Sequence, residues 1–233
     1  IMEIHKRGVN AITKSDGSPV SEADRAAEAI LLREISSILP STKIVSEENS
    51  NSHKYEVEEN FFLVDPLDGT KEFLKSDNSG AFTVNIGLIN KQIPVMGIVY
   101  APAMDRLFFG ARGGGAFEVR GRYTTKIKAR TRPKNGSVAV ASVSHRDAKT
   151  DLWLDVNGIN QIISIGSSLK FCLIAVGEAD VYPRYGPTME WDTAAGDAIL
   201  RAAGGRVEDE EGKPLRYGKP NYRNTEFFAF GAI

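Results

Sequence analysis

The sequence predicts a mixed α/β protein, α+β in its first half and layered α/β in its second. Three observations carry this. A helix-period apolar face spans 21–39 and stops at Pro40. Alternating runs at short spacing between 61 and 111 have the period of a half-buried antiparallel meander. Beyond 136, short strand-like runs alternate with helical ones, the pattern of stacked layers.

In chain order, the first helix places Ala27, Ile30, Leu31, Ile35 and Ile38 on one face. Lys43–Ser46 is a short strand that runs into Glu47-Glu48, and the polar segment 49–60 is a loop. Phe61–Val64 is a buried strand, and Gly69-Thr70 opens a brief helix through Leu74. Phe82, Val84, Ile86 and Leu88 alternate with Thr83, Asn85 and Gly87. Val95–Tyr100 and Leu107–Ala111 continue the meander, separated by turn signals at Gln92–Pro94 and Ala101–Asp105. Gly113–Gly115 and the basic stretch Arg120–Gly136 mark a boundary, which divides the chain into 1–132 and 133–233. The second part reads as strands Val138–Val143, Ile162–Ile165 and Ala179–Tyr182 with helices Leu169–Val176 and Asp192–Ala203. Gly177 and Gly204-Gly205 sit where helix C-caps belong.

Composition excludes several classes. The chain has 233 residues, 42% hydrophobic and 25% charged, with a formal charge of −1. That balance predicts neither a nucleic-acid groove nor a polybasic membrane patch. The longest uncharged apolar stretch, Phe171–Gly177, is far short of the ~20 residues a membrane span needs. One cysteine, Cys172, cannot form an internal disulfide, and three scattered histidines make a poor zinc set. A cytoplasmic location is expected, with peripheral attachment at an inner membrane as the further option. No GxxxxGK[ST] is present, so a P-loop kinase or ATPase is excluded.

The chemistry concentrates in acids. Asp65 and Asp68 stand three residues apart at the end of an apolar run, followed by Gly69 and Thr70. Glu47 follows one strand end, Asp192 begins a helix, and Asp24 lies three residues after Ser21. Each has an ordinary reading alone: a solvated loop for Glu47-Glu48, a turn for D-x-x-D-G, an N-cap for Asp192 or Thr70, a capping box for Asp24. Their shared placement at element ends favours convergence on a crevice, and the residues by themselves leave both readings open. Carboxylates without His or Cys partners select hard cations, chiefly Mg²⁺ or Mn²⁺.

The wording around these acids goes further. SPVSEAD (18–24), SEE (46–48), DPLDGTKEF (65–73) and GPTMEWDTAAGDAIL (186–200) closely resemble the inositol-monophosphatase-like superfamily of metal-dependent, lithium-sensitive phosphatases. Lys71-Glu72-Phe73, SIGSSLKFC (164–172) and ADVYPRYGPTMEWD (179–192) are most similar to its CysQ branch, the 3′(2′),5′-bisphosphate nucleotidases. The resemblance runs through almost the whole chain. The family opens with an N-terminal helix about fifteen residues earlier, and Ile1 falls inside it, so the true start is expected to precede this sequence.

The resemblance implies the sugar-phosphatase fold, with alternating α-β-α-β-α layers. It implies metal ligation by Glu47, Asp65, Asp68, Asp192 and the Leu67 carbonyl, with two or three Mg²⁺ ions, Mn²⁺ as a substitute and inhibition by Li⁺. Glu48 then stands behind Glu47. Asp24 and Thr70 match the catalytic pair that polarises the attacking water, and the backbone from Leu67 through Gly69 to Thr70 matches the phosphate-receiving segment. Lys170 and Arg184 match nucleotide-contact positions, and Ser144 and His145 are expected to line the same pocket. Against Lys170 stands a solvated charge at a helix start, an unfavourable place for a cation. The implied substrate is a small-molecule nucleotide, 3′-phosphoadenosine 5′-phosphate, hydrolysed to AMP and phosphate, with its sulfated relative as a second. No nucleic-acid polymer is expected, and the chain is expected as a monomer or homodimer. The rival on the same fold is an inositol or sugar monophosphatase, and a rival of another class is a catalytically silent binder of nucleotide or metal.

Overall fold

The structure, a computed structural model, describes residues 1–8, 11–13, 19–75, 80–142 and 147–233. A short helix α1 (Met2–Arg7) and a two-stranded antiparallel pair, β1 (Ala11–Thr13) with β2 (Pro19–Ser21), lead into the long helix α2 (Glu22–Ile38). Ser21 caps α2: its hydroxyl accepts from the Ala23 amide at 3.1 Å, and the Asp24 carboxylate reaches back to the Ser21 amide at 2.8 Å. This is the reciprocal capping that S-x-x-D spacing predicts. The predicted apolar face is only half used. Ile35 and Leu31 pack inward, whereas Ile30 and Ile38 are 53% and 75% exposed.

The meander is confirmed and is longer than the sequence suggests. β3 (Lys43–Ser46), β4 (Asn60–Asp68), β5 (Thr83–Asn90), β6 (Ile93–Ala101), β7 (Arg106–Ala111), β8 (Gly115–Arg120) and β9 (Tyr123–Ile127) form a seven-stranded sheet in that order. Only β3 and β4 run parallel. Gly113 takes φ +80° in a hairpin turn inside the sheet, and 123–127 form a strand where a boundary stretch was expected. The polar run Tyr-Thr-Thr-Lys conceals that strand because it sits exposed at the sheet edge.

The second sheet has the order β11-β10-β12-β14-β13, from β10 (Val138–Ala141), β11 (Gln161–Ser164), β12 (Val181–Arg184), β13 (Arg206–Asp209) and β14 (Phe227–Phe230). Between the strands lie α3 (Thr70–Phe73), α4 (Ala148–Val156), α5 (Leu169–Ala175) and α6 (Ala194–Ala202). Gly177 and Gly204, at φ +79° and +94°, follow the ends of α5 and α6 as the sequence predicts.

Side-chain alternation stacks these parts. Along β4, Phe62 and Val64 face Ile35 of α2, while Phe61 and Leu63 enter the main core with Leu169 and Phe171 of α5 and Ile199 and Leu200 of α6. Across that core lie Val140, Tyr182 and Phe227 of the second sheet. The opposite face of that sheet, Ala139 and Val181, packs on Leu154 of α4. The resulting order, α2, sheet, α5 with α6, sheet, α4, is the expected α-β-α-β-α layering.

A row of glycines lets α6 approach the first sheet closely. Gly87, Gly97 and Gly110 are cross-strand neighbours on β5, β6 and β7. A Cβ on Gly97 would lie 2.1 Å from the Ala195 carbonyl oxygen, and one on Gly87 would lie 2.8 Å from Ala194 Cβ. The start of α6 thus rests on bare backbone, which brings Asp192 close to the end of β4.

Candidate active site

A bulge in β4 makes the central acidic pair. Residues three apart on a regular strand face opposite sides. Here Asp65 pairs with Asn85 and Asp68 pairs with Thr83, so three steps on β4 match two on β5. Asn85 and Thr83 share a face, and Asp65 and Asp68 therefore share it too. The Asp65 carboxylate also accepts the Leu67 amide at 3.0 Å, which curls Pro66-Leu67 around it. Gly69 follows at φ +90°, where a Cβ would lie 2.9 Å from the Ala81 carbonyl, so both conformation and space demand glycine.

Two further segments bring in Glu47 and Asp192. Glu47 leaves β3 beside β4, its amide donating to the Val64 carbonyl at 3.1 Å. The preceding Ser46 is strapped from several sides: its amide donates to Ser52 Oγ, its hydroxyl to Glu28, and its carbonyl accepts from His53 Nε2 at 2.8 Å. The His53 ring stacks on Trp191 at 4.8 Å, joining the Glu47 loop to the turn that carries Asp192. Asp192 does not cap α6; Thr193 holds that position, and Asp192 Oδ2 accepts the Met189 amide at 2.8 Å.

Asp24 combines its capping role with a contact at the site. One oxygen takes the Ser21 amide and hydroxyl, at 2.8 and 2.6 Å, and the other lies 3.3 Å from Thr70 Oγ1. Thr70 Oγ1 is also 3.1 Å from the Leu67 carbonyl, so its single proton has two acceptors. Gly69, not Thr70, is the N-cap of α3.

Glu47, Asp65, Leu67, Asp68, Gly69, Thr70, Lys170, Arg184 and Asp192 all line one cleft of about 290 Å³. Asp24 lies buried behind Thr70, 1% exposed. Ser144 and His145 fall outside the described residues. Burial, then the charges of Glu47, Asp68 and Asp192, push the Asp65 carboxyl well above the usual carboxylate range. Burial, then Asp68 and Glu47, does the same to Asp192. Burial also raises Asp68, opposed by Lys170 and by donors from Ser168 and Asn85. Among the described residues no three His, Cys, Asp or Glu side chains are closed to the spacing of a ligand cage. What the four carboxylates share is one cleft and one another's field, with donors that are all oxygen. That chemistry fits a hard divalent cation, whose charge would relieve the repulsion.

The cleft also holds two cations, Lys170 and Arg184. Lys170 is 5% exposed, so it is not a solvated charge at a helix start. Its ammonium donates to the Ser167 carbonyl at 2.5 Å and lies 5.2 Å from the Tyr182 ring centre. Burial lowers its pKa to about 8, against the pull of Asp68. Arg184 turns one edge inward, Nε to the Gly186 carbonyl at 3.0 Å and Nη2 to the Pro187 carbonyl at 2.9 Å. It therefore braces the loop that leads to Asp192 as well as lining the cleft.

Sequence reasoning missed Thr83, Asn85, Ser168, Tyr182 and His53. The first three are buried polar groups bonded to one another. The only sequence signal for Thr83 and Asn85 was polarity on the face of β5 that alternation assigns away from Val84, Ile86 and Leu88. That face is the more buried one, because small and polar residues there meet α6 and the cleft.

Comparison with known proteins shows the family of the chain. The sequence profile of the Inositol monophosphatase family matches residues 2–226. The 3′(2′),5′-bisphosphate nucleotidase CysQ of Escherichia coli (strain K12) is 42% identical over 222 residues, 93% of this chain and 87% of that protein. The CysQ of Salmonella typhimurium is 44% identical over 207 residues, 88% of this chain and 81% of that one. Among solved structures, CysQ from Bacteroides thetaiotaomicron superposes with a TM-score of 0.80 at 34% identity, covering 100% of this chain and 92% of its own. The Thermotoga maritima IMPase, at 24% identity and TM-score 0.79, covers 98% of this chain and 85% of its own and shares the fold. Family members are generally Mg²⁺-dependent, lithium-sensitive phosphatases. Among the described residues no helix is long and apolar enough to cross a membrane. With a matching profile over nearly its whole length and relatives 42–44% identical over most of it, the chain belongs to the inositol monophosphatase family.

Proposed function

We propose that this protein is a Mg²⁺-dependent phosphatase that removes the 3′-phosphate of 3′-phosphoadenosine 5′-phosphate, releasing AMP and phosphate. One observation carries the reading: a single cleft is lined by Glu47, Asp65, Asp68 and Asp192 and also by a buried lysine, Lys170, and by Arg184. A monophosphate needs only the carboxylates and their ions. A bisphosphate has a second dianion to match Lys170 and Arg184. The resemblance to named CysQ nucleotidases supports the same substrate.

Glu47, Asp65, Asp68, Asp192 and the Leu67 carbonyl would hold the ions. When bound, Mg²⁺ supplies neutralisation of phosphate charge and a lowered pKa for coordinating water. The amides of Gly69 and Thr70, which line the same cleft, would donate to non-bridging phosphate oxygens. Thr70 Oγ1 accepts a proton's hydrogen bond from the attacking water while donating its own hydrogen to Asp24 Oδ1. Asp24 stays in place because its second oxygen is fixed by Ser21. Lys170 orients the second phosphate, which sets the 3′-ester against the carboxylates.

Product identity tests this orientation. Hydrolysis of adenosine 3′,5′-bisphosphate should yield adenosine 5′-phosphate, with activity lost on chelation, restored by Mg²⁺ and inhibited by Li⁺. Adenosine 3′-phosphate as the main product would reverse the assigned phosphate positions, and turnover that survives chelation would overturn the ion dependence. The alternative, an inositol or sugar monophosphatase, would leave Lys170 without a second phosphate to bind.

A further inference from the structure

Thr83 and Asn85 on β5 and Ser168 at the start of α5 are polar side chains no more than 1% exposed. They form a directed chain. The Ser168 hydroxyl donates to Asn85 Oδ1 at 2.6 Å, which uses its one hydrogen. The 2.9 Å contact between Thr83 Oγ1 and Ser168 Oγ is therefore donated by Thr83. With Asn85 Oδ1 accepting, its Nδ2 faces Asp68 Oδ2 at 3.3 Å, and the Ser168 amide reaches the same oxygen at 2.7 Å. Every donor in the chain leads to one oxygen of one carboxylate.

Two donors from different directions fix the rotation of a carboxylate and leave its other oxygen for another partner. The same Ser168 stands two residues before Lys170, whose ammonium folds back on the Ser167 carbonyl. Ser167 holds φ +54°, a left-handed conformation that a serine adopts at some cost. A movement of this segment thus shifts both the lysine and the donor on Asp68.

We propose that Thr83, Asn85 and Ser168 are positioning residues that present Asp68 Oδ1 to the ion and lock Asp68 and Lys170 into one rigid unit. The proposal rests on Asp68 being an ion ligand. It makes ion binding and phosphate binding mechanically dependent: loosening the chain loosens ion binding and the grip on a second phosphate together.

Calorimetric titration of the protein with Mg²⁺ alone tests it, with a thermal midpoint and kinetics recorded for each variant. Asn85→Ala should weaken Mg²⁺ binding about tenfold or more, and Thr83→Val, which keeps the shape and removes only the first donor, about two- to fivefold. Asn85→Ala should also raise KM for adenosine 3′,5′-bisphosphate more than for adenosine 3′-phosphate. Folded Asn85→Ala with wild-type Mg²⁺ affinity would overturn the proposal. If that variant does not fold, unchanged affinity in Thr83→Val overturns it alone. A wild-type protein that takes up no Mg²⁺ would instead overturn the underlying reading of Asp68.

Discussion

At Asp68, Oδ2 takes both the Ser168 amide and the Asn85 side chain, and Oδ1 is the oxygen proposed to meet the ion. Asp68→Asn keeps the shape and removes the charge. Turnover should fall at least about 100-fold, on the scale of losing one preorganised electrostatic contact. Without Mg²⁺ the variant should melt no lower than wild type, because one member of a mutually repelling set is gone; a much lower midpoint would make Asp68 a structural residue. Lys170 carries a pH prediction. Its pKa of about 8 means it is charged below that value and loses its charge as pH rises through it. The kcat/KM for adenosine 3′,5′-bisphosphate, divided by that for adenosine 3′-phosphate, should therefore decline above about pH 8. A ratio that stays flat into strongly alkaline buffer removes Lys170 from second-phosphate binding.

The elements matter because they set these residues within reach. β4 needs its bulge to turn Asp65 and Asp68 to one face, and α6 needs the glycine row to bring Asp192 beside them. Gly97→Ala would place a methyl 2.1 Å from the Ala195 carbonyl and push the start of α6 outward. Overpacking of this kind costs about 1–3 kcal/mol, which lowers Tm by several degrees in a chain of this size. Gly110→Ala meets Ala202 Cβ at 3.1 Å, at the opposite end of α6. Both variants should be less stable, but only Gly97→Ala should also lose Mg²⁺ affinity, since it displaces Asp192. Equal effects on the ion would mean that the glycine row serves packing alone. Little of this was legible beforehand. The acids could be named because carboxylates at element ends are a local pattern. The bulge needs the register with β5, and the glycine row needs three strands side by side, so neither exists in any one stretch of sequence.

Over the whole molecule, the layered architecture was legible from periodicity and resemblance, while its extent was not. β9 and β14 were hidden in an edge strand of polar residues and in a late aromatic run, Phe227–Phe230. Lys170 was ambiguous in sequence because a lysine near a helix start is usually solvated; only the packing of two sheets around α5 buries it. That packing makes one cleft, lined by both carboxylates and cations, out of residues from both halves of the chain. The central claim is that the cleft selects a substrate bearing two phosphates. The most direct measurement is kcat/KM for adenosine 3′,5′-bisphosphate against inositol 1-phosphate, under saturating Mg²⁺ and with phosphate release as the readout. The bisphosphate should be preferred by at least about 100-fold, the value of roughly two charge-assisted contacts. Comparable or better turnover of inositol 1-phosphate would contradict the account.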